Sequence, residues 1–156
     1  HRDLHSFPTR RSSDLKEIHD TQFEPHTLAL VILDMDNFKS IINLYGEEAA
    51  HDVYKSSAEV LKKHIRGCDV LGAHGIDEFI LFMPDTDAQR AEQIIGEFNA
   101  DLASHKFTDN NVATSFSCGI TQLRDNEDDL EELIRRAQVA LYNARKTADQ
   151  TISIEL

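Results

Sequence analysis

Long apolar runs are missing from this chain. None of its 156 residues lies in a stretch approaching the roughly 20 apolar residues that a membrane-spanning helix needs. Basic residues are scarce as well: 16 Lys and Arg stand against 28 Asp and Glu, a formal net charge of −12. A balance of that sign argues against a surface built for nucleic acid or an anionic membrane, either of which calls for a basic patch. It does not oppose a metal-bound nucleotide, because local carboxylates would hold the cation. Cysteine is nearly absent. Cys68 and Cys118 sit in separate apolar stretches, and they read as buried free thiols in a reducing cytoplasm rather than as a disulfide or metal site. Repeats, low-complexity tracts and an internal domain boundary are lacking too. What remains, 40% hydrophobic and 28% charged, is the composition of one globular domain around a single core.

The chain opens on His rather than Met, and is therefore expected to be a fragment. Residues 1–15 (HRDLHSFPTRRSSDL) resemble the translation of a common short-read sequencing adapter and are set aside from the fold, as an expression scar would be. Setting aside their three Arg and two Asp leaves 13 basic and 26 acidic residues, a net −13. Residues 16–27 are expected to form a helix end or linker closed by Pro25, and residues 28–156 the folded domain.

Hydrophobic periodicity supplies the elements. Residues 28–33 (LALVIL) form a continuous apolar run, which suits a strand buried on both faces. Asp36 is placed to cap a short helix through Phe38 and Ile41, broken by Gly46. A helix over 48–65 would turn Ala50, Val53, Ser57, Val60, Leu61 and Ile65 inward. Residues 69–73 and 78–83 read as a hairpin about the turn 74–77, ended by Pro84 and Asp85. A helix over 87–105 would bury Ala91, Ile94, Ile95, Phe98 and Leu102. Residues 112–121 read as a strand, 125–129 as a solvated acidic loop, 130–146 as a helix and 151–154 as a last strand. The order β-α-α-β-β-α-β-α-β, with a hairpin inside a split βαβ frame, predicts an α+β fold with a ferredoxin-like sheet.

Four stretches then stand out: Asp34-Met35-Asp36-Asn37-Phe38-Lys39, Gly75-Ile76-Asp77-Glu78-Phe79, Phe116-Ser117-Cys118-Gly119-Ile120, and Arg135-Arg136-Ala137 leading to Ala140-Leu141-Tyr142-Asn143-Ala144-Arg145. In this order, each on its expected strand, turn or helix, they resemble the GGDEF family, whose members make the second messenger cyclic di-GMP from two GTP molecules. The resemblance covers almost everything after residue 28. It implies a five-stranded, mainly antiparallel sheet with helices on both faces, similar to the palm of polymerases.

The chemistry that the resemblance implies can be placed residue by residue. Asp34, Asp77 and the Met35 carbonyl would ligate Mg²⁺ or Mn²⁺, hard cations that take oxygen donors. Asn37 and Phe38 open a helix whose free N–H groups could hold phosphate oxygens, with Lys39 and Arg145 adding charge. Glu78 would help the attacking 3′-hydroxyl lose its proton, with Lys39 as a second catalytic group. Arg66 and Asp69 fit the family's inhibitory product-binding pattern, in which Arg grips phosphate and Asp accepts from guanine.

Departures from the pattern are concentrated where guanine is read. Ile42 stands where the family has Asn, and His51 where it has Asp, so the paired acceptors for guanine N1–H and N2–H are gone. Ile76 replaces the second glycine of the signature turn, so either the hairpin is reshaped or that position never needed φ > 0. Ala73 and Asp149 stand where arginines are common. These changes favour a degenerate regulatory module that binds GTP, cyclic di-GMP or a partner protein, with weak or no synthesis. The alternatives are an active diguanylate cyclase, assembled as a homodimer, and a ligand-free dimerising domain. An upstream sensor domain, in a parent protein open to membrane anchoring, is expected to precede the fragment.

Overall fold

The computed structural model describes residues 27–124, 128–147 and 151–156. The expectations for residues 1–26, for Asp149 and for most of the acidic loop lie outside these residues.

The strand β1 (Leu28–Met35) forms where the apolar run predicts it, and it lies at the centre of the sheet. Its side chains alternate between two cores. Ala29, Val31, Leu33 and Met35 enter one, Leu28, Leu30 and Ile32 the other. Both faces are therefore buried, which is why the run is continuous rather than alternating. The helices α1 (Phe38–Tyr45) and α2 (Glu47–Lys62) follow, then the hairpin β2 (Val70–His74) and β3 (Glu78–Pro84), and helix α3 (Ala88–Ala103). Strand β4 (Phe116–Gln122), helix α4 (Leu130–Lys146) and strand β5 (Ile152–Ile154) complete the domain. The sheet order is β2-β3-β1-β4-β5, antiparallel throughout except for the parallel β4–β5 pair at one edge. This is the five-stranded, mainly antiparallel α+β sheet expected. α1, α2 and α3 contribute to the larger core, and α4 to the smaller one. Among the described residues no helix is long and apolar enough to cross a membrane.

Several local readings are corrected. The cap of α1 is Asn37 rather than Asp36. The Asp36 carboxylate instead accepts hydrogen bonds from two serines far along the chain, Ser115 and Ser117. The second helix ends at Lys62, although Ile65 still packs on the core. The strand expected from residue 112 begins at Phe116, because Val112 pairs instead with Phe107 in a small bridge whose turn holds Thr108 and Asn111 at positive φ. Cys118 is buried as expected, but Cys68 is exposed.

α4 is seated by two features. Gly119 of β4 lets the helix backbone come down onto the sheet: a Cβ there would stand 2.2 Å from the Ala137 carbonyl oxygen and 2.3 Å from the Leu141 amide nitrogen. Arg136, only 2% exposed, anchors the same helix. Its guanidinium donates to both Asp128 oxygens (3.0 and 2.9 Å), to Thr121 Oγ1 (3.0 Å) and to the Gln122 carbonyl (2.8 Å). Burial alone would raise the Asp128 carboxyl, but hydrogen bonds from Arg136 and Arg124 hold it down to about 2. The pair is thus charged and satisfied, as a buried ion pair has to be. This seating fixes where the end of α4 reaches the sheet.

Candidate functional site

The site lies at the end of β1 beside the β2–β3 hairpin. By strand alternation Asp34 shares the α4-facing side with Leu28, Leu30 and Ile32. The hairpin is tied to this point: Asp34 pairs in register with Glu78, and the Met35 amide donates to the Asp77 carbonyl at 3.0 Å. Asp34 is therefore a neighbour of Glu78 and of the Asp77 backbone; the expectation was that Asp34 and Asp77 converge. Asp34 Oδ2 takes Arg145 Nη2 at 2.8 Å, while Asp34 Oδ1 is buried without a hydrogen-bond partner among the described residues. Burial pushes the Asp34 carboxyl up from 3.8 to about 6. Arg145 opposes the rise, and the charges of Asp77, Glu78 and Asp36 reinforce it.

Glu78 is held from two directions. Its carboxylate meets His74 Nδ1 across the hairpin at 2.6 Å, and its backbone carbonyl accepts from the Tyr54 hydroxyl. Tyr54 is fully buried and stacks on Phe79 with ring centroids 4.4 Å apart. Burial pushes its hydroxyl well above the ordinary range, so it acts as a donor. The signature turn keeps one glycine at positive φ, Gly75 at 70°. Ile76 is not among the positive-φ residues, so it sits in this turn without left-handed strain. Its side chain is 66% exposed at the hairpin tip.

On the neighbouring loop, the Asn37 side chain is occupied. Its Nδ2 donates to the Ala113 carbonyl (3.2 Å) and its Oδ1 accepts from Thr114 Oγ1 (2.8 Å). Only backbone N–H groups there remain for an anion, and the first turn of α1, with Phe38 and exposed Lys39, has no intrahelical acceptors for them. Ile42 lies against the larger core, and His51 is half-buried on α2. Arg66 and Asp69 are brought together, but they are spent on each other. Arg66 Nη2 donates to Asp69 Oδ1 (2.7 Å), the Pro84 carbonyl and Thr86 Oγ1 (both 2.8 Å), and the Asp69 side chain is fully covered.

Among the described residues no three His, Cys, Asp or Glu side chains converge as a metal cage. Two carboxylates beside a backbone turn would offer a cation oxygen donors only. The orphaned Asp34 Oδ1 is the kind of buried acceptor that a hard cation would satisfy.

The sequence model described as "Diguanylate cyclase, GGDEF domain" matches residues 9–151. This chain belongs to the GGDEF family. Diguanylate cyclase DgcP of Pseudomonas aeruginosa is 31% identical over 129 residues, which are 81% of this chain and 19% of that protein. The chain spans only 19% to 41% of the first curated relatives it matches, among them cyclases of Treponema denticola and Vibrio cholerae. Among solved structures, the GGDEF domain of TpbB (YfiN) from P. aeruginosa superposes with a TM-score of 0.88 at 25% identity, covering 100% of this chain and 94% of that one. The GGDEF domain of DgcB from Caulobacter crescentus, solved with cyclic di-GMP, gives a TM-score of 0.83 at 20% identity, covering 99% and 97%.

Within this GGDEF domain, four groups escaped the sequence reading: Tyr54, His74, Ser115 and Ser117. Tyr54 reads as another core aromatic of α2, and its bond to a backbone carbonyl leaves no trace in spacing. Only His74 lay within reach of the sequence: read there as the first turn residue, it ends β2 and pairs with Glu78.

Proposed function

We propose that this chain is a degenerate GGDEF module of cyclic di-GMP signalling. It keeps the end that takes a cation and phosphates, has lost the guanine-reading pair, and makes little or no cyclic di-GMP. One contrast supports the reading: Asp34 keeps a buried, unpartnered oxygen beside Asp77 and Glu78, whereas the purine-facing position 42 is an isoleucine packed on the core.

Asp34, Asp77 and the Met35 carbonyl would hold Mg²⁺ or Mn²⁺, which when bound neutralises phosphate charge. The open N–H groups at the start of α1, with Lys39 and Arg145, bind phosphate oxygens. Glu78, steadied by His74, would accept a hydroxyl proton. Ile42 and His51 together offer at most one acceptor where guanine presents two donors, so they do not select that base. GTP and cyclic di-GMP are accordingly the ligands proposed, the second being what DgcB is solved with. Arg66 and Asp69 can serve the cyclic dinucleotide only by opening their mutual bridge. A sensor domain preceding the chain, a homodimer and a cytoplasmic location complete the proposal.

A second reading, an active cyclase, is favoured by the complete acidic group of Asp34, Asp77 and Glu78 at one strand end. The test is incubation of the full parent protein with GTP and Mn²⁺, followed by chromatography for cyclic di-GMP. Product at background level is expected. Robust formation, abolished by both Asp34→Ala and Asp77→Ala, would overturn the proposal in favour of the active enzyme.

A further inference from the structure

The Asp34–Arg145 bridge joins residues that the phosphate-and-cation reading gives to different ligands. Arg145 lies in the last turn of α4, where a cation suits the helix dipole. Its side chain is 41% exposed and crosses to Asp34, which is 15% exposed, with Asp36 Oδ1 a further 3.8 Å contact. One Asp34 oxygen is thus capped by a guanidinium and the other is bare. We infer that Arg145 is a resident counter-cation: it closes Asp34 while the site is empty and moves to phosphate when a divalent cation arrives with its nucleotide.

The inference rests on the proposed cation site and adds an order of events to it. A cation approaching alone meets an Asp34 already half neutralised and a fixed positive charge beside it. A cation arriving with phosphates offers Arg145 oxygens that its planar fork matches at least as well as a carboxylate. Cation and phosphate therefore bind with positive coupling, each removing a cost the other would meet. Arg145 is exposed enough to swing without unpacking α4, whose seat is made by Gly119 of β4 and by Arg136 further up the helix. If the bridge were merely a clamp between α4 and β1, removing it would loosen the site and gain nothing for a lone cation.

The experiment is titration of Mn²⁺ alone, with no nucleotide, followed by loss of the free-ion electron paramagnetic signal. Wild type, Arg145→Gln, Asp34→Asn and Lys146→Gln are compared in the parent protein. Arg145→Gln is expected to bind Mn²⁺ about fivefold more tightly than wild type or better, the scale of one partly exposed charge contact. Lys146→Gln, which removes the same charge one residue on, should change binding less than about twofold. Asp34→Asn should abolish it. Equal or weaker binding by Arg145→Gln, or an equal gain in Lys146→Gln, overturns the counter-cation role and leaves the cation site standing. No Mn²⁺ binding by either wild type or Arg145→Gln overturns both.

Discussion

Asp34→Asn is expected to stabilise the ligand-free fold by about 3 kcal/mol at pH 7, and to raise its melting temperature by several degrees. The strand buries a carboxylate with one oxygen bare, beside three other acidic groups, and Arg145 offsets only part of that cost. The folded chain therefore holds the Asp34 proton more tightly than the unfolded chain does, about 6 against 3.8. The penalty is absent below the lower value, grows as pH rises between the two, and is complete above the upper one. An asparagine carries no such charge, and its oxygen can still accept from Arg145. Thermal melts of the two proteins should coincide below pH 3.8 and separate by pH 7. A variant no more stable than wild type at pH 7 would mean that Asp34 is not strained by its surroundings. On the cation-site proposal, a bound divalent cation would recover this held-back stability.

Gly119→Ala is expected to lower stability by about 3–5 kcal/mol, measured by denaturant unfolding. The added methyl would meet backbone, not a flexible side chain, at 2.2 and 2.3 Å. It can be accommodated only by lifting α4 from β4, which would also strain the Arg136–Asp128 seat. The same shift would carry Arg145 away from the proposed phosphate position, so on that proposal the variant should weaken Mn²⁺-dependent nucleotide binding along with stability. An alanine variant as stable as wild type would show that α4 does not sit as closely as described.

The parts of this domain written in local pattern were legible before any coordinates. LALVIL gave the central strand because burial on both faces leaves no polar alternation to confuse it. The bounds of α4 are those read from the apolar positions over 130–146. That Asp34 should converge with Asp77 came from family resemblance; the strand register sets Asp34 opposite Glu78, the residue after Asp77. What stayed hidden depends on residues distant in sequence. Asp36 looks like a helix cap, yet Ser115 and Ser117 claim it from β4 and its approach. Arg136 looks like any helical arginine until Asp128, Thr121 and Gln122 close around it. Arg145 was read toward phosphate, but its resting partner is Asp34, more than a hundred residues away. Ile76 was ambiguous because sequence gives residue type but not φ, and here Gly75 alone takes the left-handed turn.

The claim at the centre is that phosphates and a cation are still gripped while the base goes unread. Calorimetric titration of the full parent protein with GTP, then with ATP, each with saturating Mn²⁺, tests it most directly. Both should bind, with affinities within about threefold of each other, since no paired acceptor remains to reward guanine. GTP binding about a hundredfold tighter than ATP would contradict the account by showing that the pocket still reads its base, and silence toward both would contradict it by showing that the acidic end holds nothing.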